Sequence, residues 1–350
     1  MLKKISNLAF LLMLAAAAFA QTTPPPTAAP NSQPTQRRRN APRPYAVTIT
    51  DNSKKFDLDT VKENQLTEAF KNVYPGFAAA DGYRTAREVT MTISDTLKQD
   101  LTAKAGEISV NGKWLKKKKN FAKFQQTLQD QLHKNWNSVD TIRKDGYQLV
   151  FINKNSDFSP AIKQDLINTY FTVFPKLVSM FNGQTTHEVV FVTDTAYKGV
   201  AEASGNRILF STKYMNAHPY DIDIVTHEGM HIVQGYGYGS GPVWLTEGIA
   251  DFIRYKYGVN NIGSKWYLPA FKSTQSYKDS YRVTARFFEW IDQKVKPGMI
   301  VRIDKELRNH TYTEATWAAL SGKTIDELWD AYAKNPEVTL KYSGKEAAKI

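Results

Sequence analysis

Cysteine is absent from all 350 residues of the chain. The protein therefore has neither disulfide bonds nor a cysteine for lipid attachment, and it folds without covalent cross-links. Beyond the N-terminal region no apolar run approaches the roughly eighteen residues of a membrane-spanning helix, so we expect no integral membrane segment in the mature protein. A glycine-rich phosphate loop and a nucleophilic-serine elbow are also missing.

Concentrated basic charge is missing from the second half of the chain. Of the formal net charge of +12, residues 1–20 carry +2, residues 21–44 carry +4, residues 45–146 carry +4 and residues 147–350 only +2. Because an enzyme that processes nucleic acids needs a basic surface at its cleft, we expect no nucleic-acid partner. A run of four lysines, residues 116–119, is predicted to be a solvated turn on a loop.

The N-terminal region has the organisation of an export signal. Lys3 and Lys4 precede an apolar run at residues 8–19, and an Ala-Phe-Ala sequence ends at Ala20. This order predicts a signal peptide that is cleaved after Ala20, and hence a secreted or periplasmic protein. Residues 21–44 are rich in Pro, Thr, Gln and Asn and contain too little apolar surface to fold, which predicts a disordered linker. The arginines of this linker either stay solvated or contact membrane phosphates or acidic polymers.

The rest of the chain is internally similar at an offset of about one hundred residues. Three pairs of segments correspond in apolar pattern: YAVTITDNSKKF and YQLVFINKNSDF, REVTMTISDT and HEVVFVTDT, and GEISVNGKWL and GNRILFSTKYM. In each copy a helical stretch follows the first segment, and we expect it to end at a proline, Pro75 or Pro175. We interpret the pattern as a duplication, with a first copy at residues 45–146 and a longer second one at residues 147–338, before a tail at residues 339–350.

The second copy contains the pentapeptide HEGMH, in which His227 and His231 are four residues apart. On a helix this spacing points both side chains the same way, so that they can bind one zinc ion with Glu228 beside it. Apolar residues around the motif favour a helix that ends at Gly235, where a left-handed cap needs glycine.

A second helix is predicted after a glycine-rich loop, at about residues 243–257. Glu247 and Asp251 lie one turn apart on one face of it. A catalytic zinc site has three protein ligands and an open position, and His, His and Glu are one established set. We therefore assign Glu247 as the third ligand, after His227 and His231, of one zinc ion per chain. Asp251 is predicted to accept a ring N–H from a ligand histidine.

The first copy lacks these groups. At the offset of the repeat, Thr127 and Gln131 stand opposite the two histidines, and Leu128 stands opposite Glu228. The first copy is therefore interpreted as a degenerate half that packs against the catalytic one. A module that binds the substrate or covers the cleft is the alternative.

Several blocks of the second copy are similar to the basic secretory protein family of plants and bacteria, which is grouped with zinc metallopeptidases: HEGMHIVQ, GPVWLTEGIADFIRYKYG, SYRVTARFFEW, KGVAEASGNRILFSTKYM and GKTIDELWDAY. The resemblance spans residue 147 to about residue 336. It implies His227, His231 and Glu247 as the metal ligands. It also implies Glu228 as the catalytic acid and base of peptide hydrolysis, while leaving the substrate undefined.

Two tyrosines are candidates for stabilising a reaction intermediate. A phenol near the zinc ion can donate a hydrogen bond to the oxyanion of a tetrahedral intermediate. Tyr281 stands at the start of a predicted helix at residues 280–295, and the resemblance through SYRVTARF favours it for this role. Tyr277 is the competing candidate.

Strands early in the second copy and helices late in it predict an α+β, zincin-like fold with the metal between two lobes. Predicted strands lie at residues 148–152, 188–192 and 207–211. After Gly258 the chain is predicted to be helical, and Thr324 and Glu327 form a capping box for the last helix. Residues 208–210 are predicted either to line the cleft, where a substrate backbone adds to a sheet edge, or to be an ordinary core strand.

The function that these features predict is a secreted or periplasmic zinc metallopeptidase that acts on peptides or proteins. Zinc activates a water molecule, and Glu228 takes the proton of that water and passes it to the leaving amine. Two other functions remain open. One is a binding module for a cell-surface polymer or protein, in which HEGMH is a relic, and the other is a metal hydrolase of non-peptide amides or esters.

Overall fold

The structure, a computed structural model, describes residues 45–81, 86–237 and 239–344. The predicted signal peptide and linker lie outside these ranges, and so do the last six residues of the predicted tail. Within the described ranges the chain forms two mixed sheets and twelve α-helices, so the α+β class expected from the sequence is confirmed.

The first sheet has the strand order β1-β2-β4-β3. Its strands are Ala46–Asp51 (β1), Glu88–Ser94 (β2), Leu101–Lys104 (β3) and Glu107–Asn111 (β4). The first, second and fourth strands are parallel, and β3 is an antiparallel edge strand. Alternation along β2 buries Val89, Met91 and Ile93 on one face, because two helices cover that face.

The helices of the first half are Thr60–Asp81 (α1), Gly112–Leu115 (α2), Lys118–Phe121 (α3) and Phe124–His133 (α4). Both α1 and α4 place apolar residues, among them Phe70 and Leu128, in the core of this half. The lysine run at residues 116–119 was expected on a loop. It lies instead at the junction of the two short helices α2 and α3.

The second sheet has the strand order β5-β6-β7-β9-β8. Its strands are Ser138–Lys144 (β5), Tyr147–Asn153 (β6), Glu188–Asp194 (β7), Ala201–Ser204 (β8) and Arg207–Ser211 (β9). The helices around it are Pro160–Phe181 (α5), Thr212–Ala217 (α6) and Ile224–Gln234 (α7). Because β5 pairs with β6, the second sheet begins at Ser138, ahead of the boundary at Gly146 that the sequence predicts.

The two halves have the same topology at the predicted offset. Thr90 pairs with Glu107 in the first sheet and Val190 with Arg207 in the second, in both cases between parallel strands. The helix α4 occupies the place in the first half that α7 occupies in the second, beside the antiparallel edge strand.

Both prolines that were expected to end a helix lie inside one. The helix α1 continues past Pro75 to Asp81, and α5 continues past Pro175 to Phe181. A proline inside a helix removes one backbone hydrogen bond. Here the apolar face continues beyond it, since Phe77 and Leu177 are both buried, and the packing of that last turn outweighs the lost bond.

The remaining part of the second half is helical, as the sequence predicts. Its α-helices are Val243–Tyr257 (α8), Tyr281–Lys294 (α9), Met299–Arg308 (α10), Ala315–Ser321 (α11) and Ile325–Lys334 (α12). Thr324 and Glu327 form the expected capping box at the start of α12. Residues 259–276, by contrast, contain no helix or strand.

The first half covers one face of the second sheet. On that face Ile152, Val190 and Val192 are buried against Ala80 of α1, with Trp136 packed at the edge of the cluster. The helices α5 and α7 pack on the opposite face, over Phe151, Phe191 and Phe210. The first half therefore lies on the side of the sheet that faces away from the HEGMH helix.

Of the two alternatives for residues 208–210, the structure shows the ordinary core strand, and the cleft-lining strand is wrong. The strand β9 lies between β7 and β8, and Ile208 and Phe210 are fully buried in the core. The edge beside α7 is formed by β8, which the sequence analysis did not identify. In the described ranges no helix combines the length and apolar character needed to cross a membrane.

Candidate metal centre

The helices α7 and α8 bring three potential ligand atoms together. The helix α7 ends at Gly235, whose φ of 54° is the left-handed cap expected from the sequence. The glycine-rich loop then reverses the chain, and α8 begins after Pro242. Among the described residues, His227, His231 and Glu247 form the one group of metal-ligating side chains whose ligand atoms all lie within 4.8 Å of one another.

The spacing of the three ligand atoms suits a zinc ion. The Nε2 atoms of His227 and His231 are 3.1 Å apart. Glu247 Oε2 is 3.3 Å from the first of these atoms and 3.4 Å from the second. Ligands at 2.0–2.1 Å in a tetrahedron are separated by about 3.3 Å, so the triangle matches the edges of a zinc coordination shell. The donor set, two imidazoles and one carboxylate, is also one that zinc binds in catalytic sites.

Both histidines are oriented through their other ring nitrogen. His227 Nδ1 lies 2.7 Å from Asp251 Oδ1, and His231 Nδ1 lies 2.8 Å from Gln234 Oε1. The Gln234 side chain is oriented in turn, since its Nε2 donates to the carbonyl of Thr246 at 3.0 Å. Each Nδ1 therefore carries a proton, which leaves each Nε2, once deprotonated, as the atom that would bind a metal at the centre of the triangle.

Charge within the cluster is strongly coupled. Burial lowers the pKa of His227, but the charge and hydrogen bonding of Asp251, with a hydrogen bond to Glu247, outweigh burial and raise this pKa to about 10. Burial raises the pKa of Glu247, whereas hydrogen bonds from His227 and His231 outweigh it and hold this pKa far below its usual range. A cluster this rich in carboxylates favours a positive charge at its centre.

Glu228 adjoins the triangle and is buried, with 8% of its surface exposed. Burial raises its pKa, and the negative charge of Glu247 acts in the same direction. A backbone hydrogen bond from Ala203, on the edge strand β8, partly opposes this shift. A carboxylate with a raised pKa beside a metal centre is suited to accept and return a proton.

The two candidate tyrosines are in different environments. The ring of Tyr281 is nearly parallel to that of His227, with centroids 6.2 Å apart, and about half of the side chain is exposed. Burial raises the pKa of Tyr281, as do the charges of Glu247 and Asp251, so its hydroxyl stays protonated at neutral pH. Tyr277 is instead buried, and its hydroxyl donates to Asp326 at 2.7 Å. Only Tyr281 faces the cluster.

The backbone that presents Tyr281 is strained. Ser280 has φ 68° and ψ −176°, a region that residues other than glycine rarely enter, and Tyr281 follows with φ 48°. Such conformations cost about 1–3 kcal/mol each and concentrate at functional sites. The strain therefore supports a functional position for this tyrosine.

The site residues predicted from the sequence lie together in the structure. His227, Glu228, His231, Glu247 and Asp251 all meet at the centre, with Tyr281 beside it. Sequence reasoning missed Gln234, although its position three residues after His231, on the same helix face, is a signal that could have found it.

Comparison with known families identifies the class of the protein. A family model described as a peptidase of plants and bacteria matches residues 145–332, which is more than half of the chain. The chain belongs to this family, the basic secretory protein family, and the resemblance stated from the sequence is confirmed.

Two solved structures share a distant similarity with the chain. Aminopeptidase A of Legionella pneumophila in complex with aspartic acid is 14% identical, with a TM-score of 0.36, and the match covers 56% of this chain and 28% of that one. An aminopeptidase N family protein from Idiomarina loihiensis is 12% identical, with a TM-score of 0.35, over 60% of this chain and 47% of that one. This chain spans less than half the length of either, and the similarity is too distant to support an argument about the site. No curated protein matches the chain.

Proposed function

We propose that the protein is a zinc-dependent peptidase whose metal is held by His227, His231 and Glu247. The observation that carries the proposal is the triangle of ligand atoms, 3.1–3.4 Å on each side, with Nε2 of each histidine directed into it. The membership in a peptidase family supports peptides or proteins as the substrate class. The zincin-like arrangement is part of this proposal.

Different residues of the chain have different roles in the proposed hydrolysis. A zinc ion held by His227, His231 and Glu247 would supply a Lewis acid for the scissile carbonyl and would lower the pKa of a water molecule. Glu228, with its raised pKa, accepts the proton of that water and delivers it to the leaving amine. The protonated hydroxyl of Tyr281 donates a hydrogen bond to the oxyanion that develops on the former carbonyl oxygen. Asp251 and Gln234 hold the two imidazoles in place.

The edge strand β8 is the proposed binding site for the substrate backbone. Ser211 N–H donates to the carbonyl of Val200 at 3.0 Å, so alternation turns the backbone groups of Ala201 and Ala203 toward the open edge. A substrate would pair with the Ala201 N–H and the Ala203 carbonyl, since the Ala201 carbonyl accepts from the Tyr197 hydroxyl at 3.1 Å. The Ala203 N–H reaches Glu228, which sets the edge directly beside the catalytic carboxylate. An extended peptide that adds to this edge by strand pairing is thereby aligned with the metal centre.

The experiment that tests the proposal combines zinc content with turnover of an unstructured protein substrate. We expect about one zinc ion per chain in the wild type and little in His227→Ala. Glu228→Gln is expected to keep the metal and to lose turnover by at least about a hundredfold, because the amide cannot accept a proton. Its matched control is Glu314→Gln, at an exposed glutamate of the same half, which should change neither quantity.

Two results would contradict the proposal. Turnover retained in Glu228→Gln would remove the proposed general base, and absence of zinc after reconstitution would remove the metal centre. A parallel panel of small amides, esters and glycans then identifies a non-peptide hydrolase, and binding assays on cell-surface polymers identify a binding module.

We further propose that the two halves arose by duplication and that the first half, which lacks the ligands, is structural. Shared strand order and register at an offset near one hundred residues support the duplication. The first half lies on the face of the second sheet that is turned away from α7, and this position supports a packing role. Comparison of the two halves across relatives tests the duplication, because halves that grow no more similar in reconstructed ancestors would contradict it.

Export is also a proposal, based on the sequence of residues 1–20. Cleavage after Ala20 would leave a mature chain that begins at Gln21. N-terminal sequencing of protein collected from the medium or periplasm checks it, and an intact Met1 on active protein in the cytoplasm would contradict it.

A further inference from the structure

Lysines are concentrated at one end of the first half, where the parallel strands β1, β2 and β4 finish. Between Glu107 and Asp130 the chain contains six lysines and no acidic residue. Further lysines lie in the loops after β1 and β2 and in the first turn of α1, including Lys54, Lys55 and Lys98.

Contacts between these segments place the lysines on one surface, which we call the lysine end. It comprises Lys54, Lys55, Lys62, Lys98, Lys113, residues 116–119 and Lys123. The rings of Phe56 and Phe121 stack with centroids 6.1 Å apart, which joins the loop after β1 to α3. Asn111 Nδ2 donates to the carbonyl of Leu97 at 2.7 Å, which joins the loop after β2 to the start of α2.

Acidic groups offset only part of this charge. Five aspartates lie at the same end of the sheet: Asp51, Asp57, Asp59, Asp95 and Asp100. Asp59 pairs with Lys62 at 2.8 Å, and Asp95 accepts from the Ser53 hydroxyl and the Lys54 amide. With Glu63, in the first turn of α1, this end has six acidic residues against ten lysines. The lysines at residues 116–119 are exposed and make no side-chain bond to any described residue.

Local stability does not account for the run at residues 116–119. Lys117 is the N-cap of α3 and makes no capping bond, at a position where Ser, Thr, Asp or Asn stabilises a helix. Lys118 and Lys119 lie in the single turn of this four-residue helix, which is its first and its last turn at once, so the helix dipole neither favours nor disfavours their charge. Neither capping nor the helix dipole therefore explains why four lysines stand here.

The second half shows that the fold does not need them. Residues 213–223 hold the place there that residues 113–123 hold in the first half, since both connect the last strand of the sheet to the next long helix. That segment contains one lysine, Lys213, and two aspartates, Asp221 and Asp223. The same connection is thus built with a net negative charge.

We propose that the lysine end binds the anionic headgroups of a phospholipid membrane surface. Each lysine ammonium group is a compact positive charge that attracts phosphate groups. Near an anionic membrane surface the contributions of neighbouring lysines to the binding free energy add up. Val61, with 66% of its surface exposed, adjoins Lys62 and adds an apolar contact of the kind that interfacial binding uses. Nucleic acid is less well matched, because this end presents neither arginine for bidentate contacts nor a fully exposed aromatic ring for base stacking.

Sedimentation of the mature chain, residues 21–350, with lipid vesicles tests the proposal. Vesicles of phosphatidylcholine with an equal part of phosphatidylglycerol should bind the protein, and vesicles of phosphatidylcholine alone should not. Binding should fall steeply as salt is raised, since the contacts are ionic. Changing all four lysines of residues 116–119 to glutamine should weaken binding at least about tenfold.

The matched control removes the same charge elsewhere. It changes four exposed lysines of the second half to glutamine: Lys272, Lys305, Lys323 and Lys334. It should bind the anionic vesicles like the wild type, and thermal melting should show both variants folded. An equal loss in the two variants, or no salt-sensitive vesicle binding by the wild type, would overturn the proposal. Equal or tighter binding to duplex DNA, again lost in the first variant, would reassign the surface to nucleic acid.

Discussion

At the scale of single residues, the metal centre depends on neighbours that lie behind the proposed ligands. Asp251 reaches His227 from α8, whereas Gln234 reaches His231 from the same helix. Asp251 has only 4% of its surface exposed and Gln234 only 1%, so neither bond competes with bulk water. Each imidazole is consequently held in one orientation before a metal arrives.

Asp251→Ala should weaken zinc binding by about 10–100-fold, because His227 then loses the acceptor that orients it. Competition with a chelator measures the affinity. Asp330→Ala, which removes an exposed aspartate on α12, is the control and should leave the affinity unchanged. Equal zinc affinities for wild type and Asp251→Ala would show that the aspartate does not support the site.

The two tyrosines give opposite predictions for the same small change. Tyr281→Phe should lower kcat by about 10²-fold with little change in KM or in stability, since it removes one oxyanion donor. Tyr277→Phe should leave kcat intact and lower the free energy of unfolding by about 1 kcal/mol, because the bond to Asp326 is lost. Steady-state kinetics and thermal melting separate them, and a loss of kcat in Tyr277→Phe alone would reverse the assignment.

Sequence spacing predicts these residues only as far as local geometry reaches. The four-residue step of His227 and His231, and the cap at Gly235, are properties of a single helix and can be read from the chain. The choice between Tyr281 and Tyr277 cannot be read from the spacing of residues along the chain. It depends on two consecutive positive φ angles and on a partner, Asp326, that lies 49 residues further along.

At the scale of secondary-structure elements, the position of Glu247 depends on how closely α8 approaches α9. A Cβ added at Gly248 would lie 2.4 Å from Thr284 Cγ2 and 3.1 Å from Phe288 Cε2. Both neighbours are fully buried, so neither side chain can move aside easily. Glycine at this position lets the helix that carries Glu247 pack against its neighbour.

Gly248→Ala should therefore lower the free energy of unfolding by about 1–3 kcal/mol, although alanine favours helix formation. Gly229→Ala on α7 is the matched control. Its added Cβ meets only Phe174 Cδ2 at 3.4 Å, and it should be neutral or stabilising by up to about 1 kcal/mol. Chemical denaturation measures both, and a Gly248→Ala protein as stable as the wild type would show that the two helices can separate without cost.

Helices and strands with a long periodic pattern of apolar residues were predicted correctly, whereas a short strand at the edge of a sheet was not. The helix at residues 243–257 has the bounds that were expected, and Arg207–Ser211 is a strand as expected. The edge strand β8 was missed because Ala201–Ser204 is short and lacks a large apolar residue. Consequently β9 was the only strand considered for the cleft, with a core strand as the alternative, and it proves to be a core strand with a neighbour on each side.

At the scale of the whole molecule, corresponding sheet faces of the two halves have opposite solvent exposure. In the second sheet this face consists of Val150, Val190 and Val192 and is covered by the first half. In the first sheet the corresponding positions are threonines, Thr48, Thr90 and Thr92, and none of them is buried. Alternate residues of a strand share a face, so one change of pattern is enough to make a sheet face open rather than covered.

Reciprocal substitutions at one such position test this difference in the intact chain. Val192→Thr should lower the free energy of unfolding by about 1–3 kcal/mol, because it buries a hydroxyl group between the two halves where no apolar contact replaces the lost methyl. Thr92→Val, the same exchange in reverse, should stay within about 0.5 kcal/mol of the wild type, since its side chain is only partly covered. Denaturant titration of both variants gives the two free energies. Equal effects would mean that the first half does not seal the second sheet, and its proposed packing role would then have to be abandoned.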